Sequence, residues 1–326
     1  MTTGSDPPEN AEAGARVPPP GPDHYVGVIN SIVSAEVVPF LGAGASLCGP
    51  QVTQDAGQPL PPSSKDLVAV LAKKWPGGPS ELARASEYLS LKLGTGPLYN
   101  ELHRIFDVDF RPSPVHTFLV DVAAELRNRG AKTRQLIVTT NYDDALERAF
   151  KNAGETFELV SYMADGNSRG KFIHWSAGGG ERNLPIEKPN KYTRLALETN
   201  TVILKMHGTV ARTNADHDSY VITEDHYIDY LAQTQLEQLI PVNLLVKLRN
   251  TNFLFLGYSL KDWNLRVILH RIRRDQARNY RSWAIQRDPD VEDSLFWRDH
   301  GVDIFAIDLA DYIAKLSKLL WPERTP

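Results

Sequence analysis

Four short stretches of the sequence combine glycines with side chains that can bind anions or move protons. Gly42 to Ser46 reads Gly-Ala-Gly-Ala-Ser, and Thr139 to Asp143 reads Thr-Thr-Asn-Tyr-Asp. A His-Gly pair follows at 207–208, and Gly-Tyr-Ser lies at 257–259. Glycine turns let backbone amides approach a phosphate, whereas a histidine can take up a proton near neutral pH. Together these residue types favour a site that binds a phosphate-bearing ligand and moves protons.

Each stretch directly follows an apolar run that has the length of a buried strand. These runs lie at 37–41, 135–139, 201–205 and 252–256. The segments between them show helical spacing of apolar residues, as in 113–130. Strands that alternate with helices predict an α/β fold with a Rossmann-like, doubly wound and mostly parallel sheet. Because ligands bind at the carboxyl ends of the strands in such sheets, we expect the four stretches to surround one crevice.

The order of the segments predicts one domain behind a flexible tail. Residues 1–22 are rich in proline, glycine and acidic side chains, which is typical of a disordered Pro-rich tail. We expect residues 23–326 to form a single domain with a helical insertion at about 64–130. The segment 164–194 reads as a peripheral loop region. Three helices are expected within the insertion, capped by Ser64, Ser80 and Ser113.

The composition is that of an ordinary globular protein. Of 326 residues, 42% are hydrophobic and 23% are charged, and the formal net charge of -4 gives no support for direct nucleic-acid binding. The single cysteine, Cys48, excludes an internal disulfide and a four-cysteine zinc site, and it fits a reducing cytoplasm. No apolar run approaches about 20 residues, and the N-terminus lacks the apolar core of a signal peptide. We therefore expect a soluble, cytoplasmic protein without membrane contact and without a bound metal.

Each of the four stretches also has a purely structural interpretation. Asn141 and Asp143 both suit the N-cap of a helix. His207 and Ser259 stand beside glycines and suit turns. Two alternatives are excluded, since no Gly-Lys-Ser/Thr of a P-loop follows the first glycines and the dinucleotide fingerprint of dehydrogenases is incomplete. The occurrence of all four stretches behind apolar strands favours one shared site over four unrelated turns.

In this order, GAGAS, TTNYD, a strand followed by HG, and FLGYS resemble the four signatures of the sirtuin superfamily. The resemblance spans roughly residues 24–310 and is closest to the bacterial branch that hydrolyses NAD in anti-phage defence. It implies a Rossmann-like domain that cleaves the bond between nicotinamide and ribose in NAD. The phosphates would lie at the first glycine stretch and the adenosine at the last. The residues that would bind NAD are Gly42, Ala43, Gly44, Ser46, Thr140, Gly257 and Ser259.

The resemblance also implies catalytic roles for three side chains. Asn141 and Asp143 match the family's asparagine and aspartate at the nicotinamide ribose, and His207 matches its catalytic histidine. Asp143 would either orient Asn141 or stabilise the developing cation. Two departures weaken a protein deacylase interpretation: the four-cysteine zinc module is missing, and so is the family's Pro-Asp-Phe-Arg run after the glycines. The expected function is therefore NAD glycohydrolase, which releases nicotinamide and ADP-ribose.

Alternatives to hydrolysis are an NAD-dependent protein deacylase or ADP-ribosyltransferase, and a non-catalytic sensor of NAD or ADP-ribose. Because destruction of NAD must be controlled, we expect regulation through a homo-oligomer or through a separate regulatory protein such as a HerA-type ATPase. Two further clusters are expected to be solvated surface rather than functional sites. One is an acidic loop with Asp216, His217, Asp218, Asp225 and His226, and the other is a basic helix face with Arg271, Arg273, Arg274 and Arg278.

Overall fold

The computed structural model of the protein describes residues 16–49, 58–176, 184–232, 235–261, 263–273 and 280–324. The first fifteen residues of the predicted tail lie outside these ranges. The helices are α1 (Pro22–Val33), α2 (Ala43–Ser46), α3 (Ser64–Lys74), α4 (Leu82–Leu93), α5 (Thr95–Phe106), α6 (Pro114–Asn128), α7 (Ala145–Asn152), α8 (Glu224–Ala232), α9 (Val242–Arg249), α10 (Trp263–Arg273), α11 (Val291–Asp299) and α12 (Leu309–Leu320). The strands are β1 (Val37–Leu41), β2 (Leu136–Thr139), β3 (Phe157–Tyr162), β4 (Phe172–Trp175), β5 (Leu184–Pro185), β6 (Thr201–Lys205), β7 (Gly208–Thr209), β8 (Ser219–Tyr220), β9 (Asn252–Leu256), β10 (Ser282–Gln286) and β11 (Val302–Ala306).

Within the described ranges, nine of these strands form one sheet in the order β11-β10-β9-β1-β2-β6-β3-β4-β5. The pairs from β11 to β3 are parallel, and β4 and β5 add antiparallel pairs at one edge. This arrangement confirms the predicted α/β fold with a mostly parallel, Rossmann-like sheet. The strand order reverses at β1, which lies between β2 and β9, and a ligand crevice is expected where the order reverses.

Helices cover both faces of the sheet, as its continuous apolar runs require. On β1, Val38 and Phe40 point into a core that also contains residues of α9 and α10. Val37 and Leu41 point to the opposite face and pack with residues of α1, α6 and α12. Because both faces are filled by hydrophobic side chains, polar chemistry is confined to the edge where the strands end.

Helices α3, α4 and α5 form a separate layer, which we call the helical cap. Its apolar side chains make a third core with residues of the β7–β8 hairpin. Helix α5 was not among the three helices expected here, because Gly96 and Pro97 interrupt the apolar pattern. Both residues lie in the first turn of α5, where proline costs no intrahelical hydrogen bond. Helix α6 packs against the sheet rather than with the cap.

Three predicted helix starts can be compared with the structure. Ser113 caps α6 as expected, in a reciprocal capping box with His116. The cap of α3 is Ser63 and not Ser64, because Asp66 returns the hydrogen bond to Ser63. Helix α4 begins after Glu81 without a side-chain cap, so the prediction of Ser80 was also wrong.

The segment predicted as a peripheral loop, 164–194, contains two strands in its described part. Strand β4 pairs with β3, and β5 pairs with β4, both antiparallel. Phe172 and Ile173 of β4 are buried, which gives this short strand its hydrophobic contact with the sheet. The described residues contain no helix with both the length and the apolar character that crossing a bilayer requires.

The loops after β1 and β9 touch backbone to backbone at the centre of the sheet edge. Gly42 N donates to Leu256 O at 3.1 Å, and Gly44 N donates to Gly257 O at 3.0 Å. A Cβ on Gly42 would lie 2.6 Å from Gly257 O, and a Cβ on Gly44 would lie 2.9 Å from Gly257 Cα. Gly257 itself has φ +65°, and its Cβ would lie 2.1 Å from Ala45 N. No side chain fits at this crossing, which explains why both loops carry glycine.

We expect Gly257→Ala to lower the free energy of unfolding by about 3 kcal/mol or more, because it adds a backbone clash to a left-handed conformation. The matched control is Gly154→Ala. Gly154 has φ +70° but nothing within 4 Å of its Cβ position, so only the conformational cost of about 1–2 kcal/mol should appear. Urea denaturation of both variants measures the difference. Equal losses in the two variants would contradict the close packing of the loops.

Candidate active site

A cavity of about 350 Å³ opens at the carboxyl ends of β1, β2, β6 and β9. The expectation that the four sequence stretches meet in one crevice matches this geometry. Gly44 does not line the cavity and lies behind it, against Gly257. The other nine predicted site residues all form part of the wall: Gly42, Ala43, Ser46, Thr140, Asn141, Asp143, His207, Gly257 and Ser259.

The remaining wall was not predicted from the sequence. The helical cap and the loop before it contribute Pro61, Pro62, Ser64, Leu67, Leu82 and Phe106. Three tyrosines, Tyr142, Tyr227 and Tyr258, add aromatic surface. Tyr142 and Tyr258 lie inside two of the four sequence stretches, so their place next to predicted site residues could have indicated that they line the cavity. The cap residues gave none, since apolar residues at helical spacing are typical of any packed helix.

Asn141 carries a carboxamide whose orientation is fixed by two hydrogen bonds. Its Nδ2 donates to Gly42 O at 3.1 Å and to Ser46 Oγ at 3.0 Å. A backbone carbonyl only accepts, so the NH₂ group must face Gly42. The remaining polar atom, Oδ1, is therefore the acceptor that Asn141 offers to a ligand in the cavity.

Ser46 connects the side chains of Asn141 and Asp143. Its hydroxyl accepts from Asn141 and donates to Asp143 Oδ2 at 3.3 Å. The residue is only 1% exposed, and its hydroxyl contacts these two partners. Contact of Ser46 with NAD stays a prediction. Ser46 thus fixes the Asn141 carboxamide from one side and depends on the Asp143 carboxylate on the other.

Asp143 is buried and accepts hydrogen bonds on both carboxylate oxygens. Ala145 N donates to Oδ1 at 3.1 Å, and Ser46 donates to Oδ2. An ionised carboxylate, which only accepts, satisfies both donors. Burial raises the pKa of Asp143, and the nearby Lys205 ammonium opposes that shift. The N-cap of α7 is Asp144, without a side-chain cap, so the structural interpretation of Asn141 or Asp143 as the N-cap was wrong. Asp143 nevertheless accepts from Ala145 in the first turn of α7.

His207 follows β6 and is 5% exposed. Its ring packs edge-on against Tyr227 and Tyr230, with centroids 5.6 Å and 6.1 Å away. The next residue, Gly208, has φ +91°, and its Cβ would lie 2.1 Å from Ser219 O. The glycine is therefore required by the β7–β8 hairpin, and this tight turn directs the preceding histidine to the cavity wall.

The first glycine stretch differs from the expected phosphate turn. Neither Gly42 nor Gly44 has a positive φ, and both amides donate to carbonyls of the loop after β9. Both amides are therefore occupied by hydrogen bonds to the second glycine loop. Contact of the loop with the phosphates of a dinucleotide stays a prediction.

The acidic loop was expected to be solvated, which is wrong for two of its members. Asp218 is buried and contacts His103 of the cap at 2.8 Å. His226 is buried and contacts Asp165 at 3.0 Å. These pairs connect separate elements, because α5 and the loop after β3 supply the partners. Among the described residues, no group of three or more His, Cys, Asp or Glu side chains is placed to hold a metal.

The basic helix face is not simply solvated either. Arg273 is half-buried, donates to Ser282 Oγ at 2.6 Å and also contacts His300 O. Burial lowers the pKa of Arg273 to about 10. Arg271 donates to Leu231 O at 2.8 Å. Arg274 and Arg278 lie outside the described residues.

Comparison with known proteins identifies the family of this chain. A family model described as the SIR2-like domain matches residues 135–305, which is more than half of the chain. The match includes three of the four stretches. The first glycine stretch and the helical cap precede it.

Three curated proteins are similar to the chain. A "Defense-associated sirtuin 2" of Bacillus subtilis is 24% identical over 65% of this chain and 17% of its own length. A "NAD(+) hydrolase ThsA" of Acinetobacter baumannii is 32% identical over 44% of this chain and 23% of its own length. A protein of the same name from Cytobacillus dafuensis is 26% identical over 41% and 21%.

The chain therefore spans about a fifth of the length of these relatives. The predicted family is confirmed by the match over residues 135–305 and by the similarity to these three relatives. This chain belongs to the family of proteins with a SIR2-like domain.

Proposed function

We propose that the protein is an NAD glycohydrolase, which converts NAD⁺ and water into nicotinamide, ADP-ribose and a proton. The observation that carries this proposal is the fixed Asn141 carboxamide, which leaves Oδ1 as an acceptor in a wall that also contains His207. The names of two relatives, both NAD(+) hydrolases, support the same reaction. The cavity volume of about 350 Å³ lies within the range of small-molecule sites.

The chemistry of the glycosidic bond suits these side chains. Nicotinamide leaves as a neutral molecule, so no strong acid is needed, but the ribose develops positive charge as the bond breaks. Asn141 Oδ1 would hold the attacking water or a ribose hydroxyl. His207 would take the proton that the water loses, since an ordinary histidine titrates near neutral pH. The buried Asp143 carboxylate would stabilise the cation through the low-dielectric interior.

The role in the cell would be depletion of NAD during anti-phage defence. The name of the Bacillus subtilis relative, a defense-associated sirtuin, supports this proposal. An NAD-depleting enzyme has to be held inactive until it is needed. We propose that a homo-oligomer or a separate regulatory protein, such as a HerA-type ATPase, provides that control in the cytoplasm.

The first test replaces the two side chains that would act on the substrate. We expect Asn141→Ala and His207→Ala each to reduce nicotinamide release from NAD by about 100-fold or more, because each removes a group that acts on the reacting atoms. Nicotinamide is followed by chromatography with purified protein, and circular dichroism checks that each variant is folded.

The chain offers matched controls for both substitutions. Asn250 and His300 are exposed and precede β9 and β11, so they lie at the sheet edge opposite the cavity. Asn250→Ala and His300→Ala should keep wild-type activity. Full activity in both Asn141→Ala and His207→Ala would refute the assignment of the site.

An acceptor experiment separates hydrolysis from transfer. A glycohydrolase consumes NAD at the same rate with and without an acyl-lysine peptide, and its product is free ADP-ribose. A deacylase would consume NAD only when the peptide is present, and a transferase would leave ADP-ribose on protein. Binding of NAD without any product would indicate a sensor.

The ionised state of Asp143 gives a pH prediction. Activity requires the carboxylate that accepts from Ser46, so kcat/KM should fall as the pH drops through the pKa of Asp143. Because burial raises this pKa, the midpoint of the fall should lie above the value of about 4 typical of aspartate. In Asp143→Asn this acid limb should disappear along with most of the activity. A wild-type profile that stays flat down to about pH 4 would contradict the required ionised form.

A further inference from the structure

A fully buried lysine lies directly behind the site. Lys205 is the last residue of β6 and has 0% exposure. Its Nζ donates to Glu147 Oε1 at 2.8 Å and to Asp143 O, and Tyr142 O lies 3.5 Å away. Glu147 is itself only 4% exposed. An ion pair in such a place loses its hydration, and this loss can exceed the attraction between the charges.

The position of Lys205 connects the two parts of the proposed catalytic apparatus. His207 follows it by two residues on the same segment. The groups that accept from the Lys205 ammonium belong to the turn that carries Asn141 and to the first turn of α7, which contains Glu147. One ammonium group therefore joins the end of β6 to the segment 141–147.

We propose that Lys205 is a positioning residue: with Glu147, it holds the turn that carries Asn141 and Asp143 in a fixed place relative to His207. This inference deepens the proposed NAD cleavage and rests on it for its effect on the reaction. Glu147 acts as the counter-charge that keeps the ammonium in position.

Stability alone does not account for the pair. Replacing a buried ion pair by apolar residues of similar size is often neutral or stabilising, so a hydrophobic contact would serve the core equally well. Only a donor can bind the Asp143 carbonyl and the Glu147 carboxylate at the same time. The pair therefore contributes geometry, and a displacement of about 1 Å in a catalytic group can cost about 100-fold in rate.

Lys205 also acts on the charges around it. The groups affected by its ammonium are Asp143 and Asp144 beside α7, its partner Glu147, and His116 of α6. Its charge holds the pKa of Asp143 below the value that burial alone would give. Burial chiefly, with the Lys205 charge second, lowers the pKa of His116 to about 3, so His116 is neutral near neutral pH.

The test compares Lys205→Met with the double variant Lys205→Met/Glu147→Met. The single variant leaves a buried carboxylate without its partner and is expected to lower the melting temperature strongly. The double variant removes both charges and should regain most of that loss. Its kcat should nevertheless remain at least about 10-fold below wild type, because the turn is no longer held. The acid limb of its pH profile should also move to higher pH as the pKa of Asp143 rises.

The matched control is Lys247→Met. Lys247 is half-buried, and its Nζ donates to Ala35 O at the opposite edge of the sheet. This variant also removes an ammonium from a backbone carbonyl, but kcat should stay within about twofold of wild type. An equal loss of kcat in Lys247→Met and in the double variant would mean that Lys205 contributes only to stability, and this result would overturn the proposal.

Hydrogen exchange supplies a measurement that does not need NAD. Amides in the segment 140–147 should exchange at least about 10-fold faster in the double variant than in wild type, while the core strand β9 keeps its protection. Unchanged exchange in 140–147 overturns the proposal, as does wild-type kcat in the double variant. If wild-type protein does not cleave NAD, the proposed function fails, and the exchange result alone decides the role of Lys205.

Discussion

The structure depends on the contact between the loops after β1 and β9, where the backbones approach too closely for any side chain. Gly42 and Gly44 donate to Leu256 O and Gly257 O, which fixes the first loop against the second. The carbonyl of Gly42, which accepts from Ala45 N at 2.9 Å, also accepts from the Asn141 carboxamide. A packing constraint at the centre of the sheet therefore also orients a side chain at the cavity wall.

From Gly42, a series of hydrogen bonds extends through Asn141 and Ser46 to Asp143. Asn141 donates to Ser46, Ser46 donates to Asp143, and the backbone of Asp143 accepts from Lys205. In this series the carbonyl accepts, the hydroxyl accepts and donates, and the carboxylate accepts. Since a buried polar group without a partner is costly, loss of any one member would disturb its neighbours.

The features predicted correctly from the sequence were those with local signals. An apolar run that ends in glycine or in a polar turn marks β1, β2, β6 and β9, and the parallel order of these strands brings their ends together. Helix α6 was found because Ser113 and Pro114 form a local start signal. Because the strand ends lie together, nine of the ten predicted site residues line the same cavity.

Features that depend on contacts between distant segments were not predictable in this way. The use of Gly42 as a packing residue depends on Gly257, more than two hundred positions away in the chain. The choice of Ser63 over Ser64 depends on a reciprocal bond with Asp66, and apolar spacing does not distinguish the two serines. Lys205 looks like the polar end of a strand until Glu147 and the Asp143 carbonyl are placed beside it.

Tyr142 shows how the helical cap and the sheet act on the same turn. Its ring packs against Phe106 and Tyr220 with centroids 5.4 Å and 5.3 Å away, and its hydroxyl donates to Val221 O at 2.7 Å. Its carbonyl accepts from Val210 N at 3.0 Å. The residue between Asn141 and Asp143 is therefore held by the cap core on its side chain and by Val210, directly after β7, on its backbone. Because the turn is fixed from both sides, the cap contributes to the geometry of the site as well as to its walls.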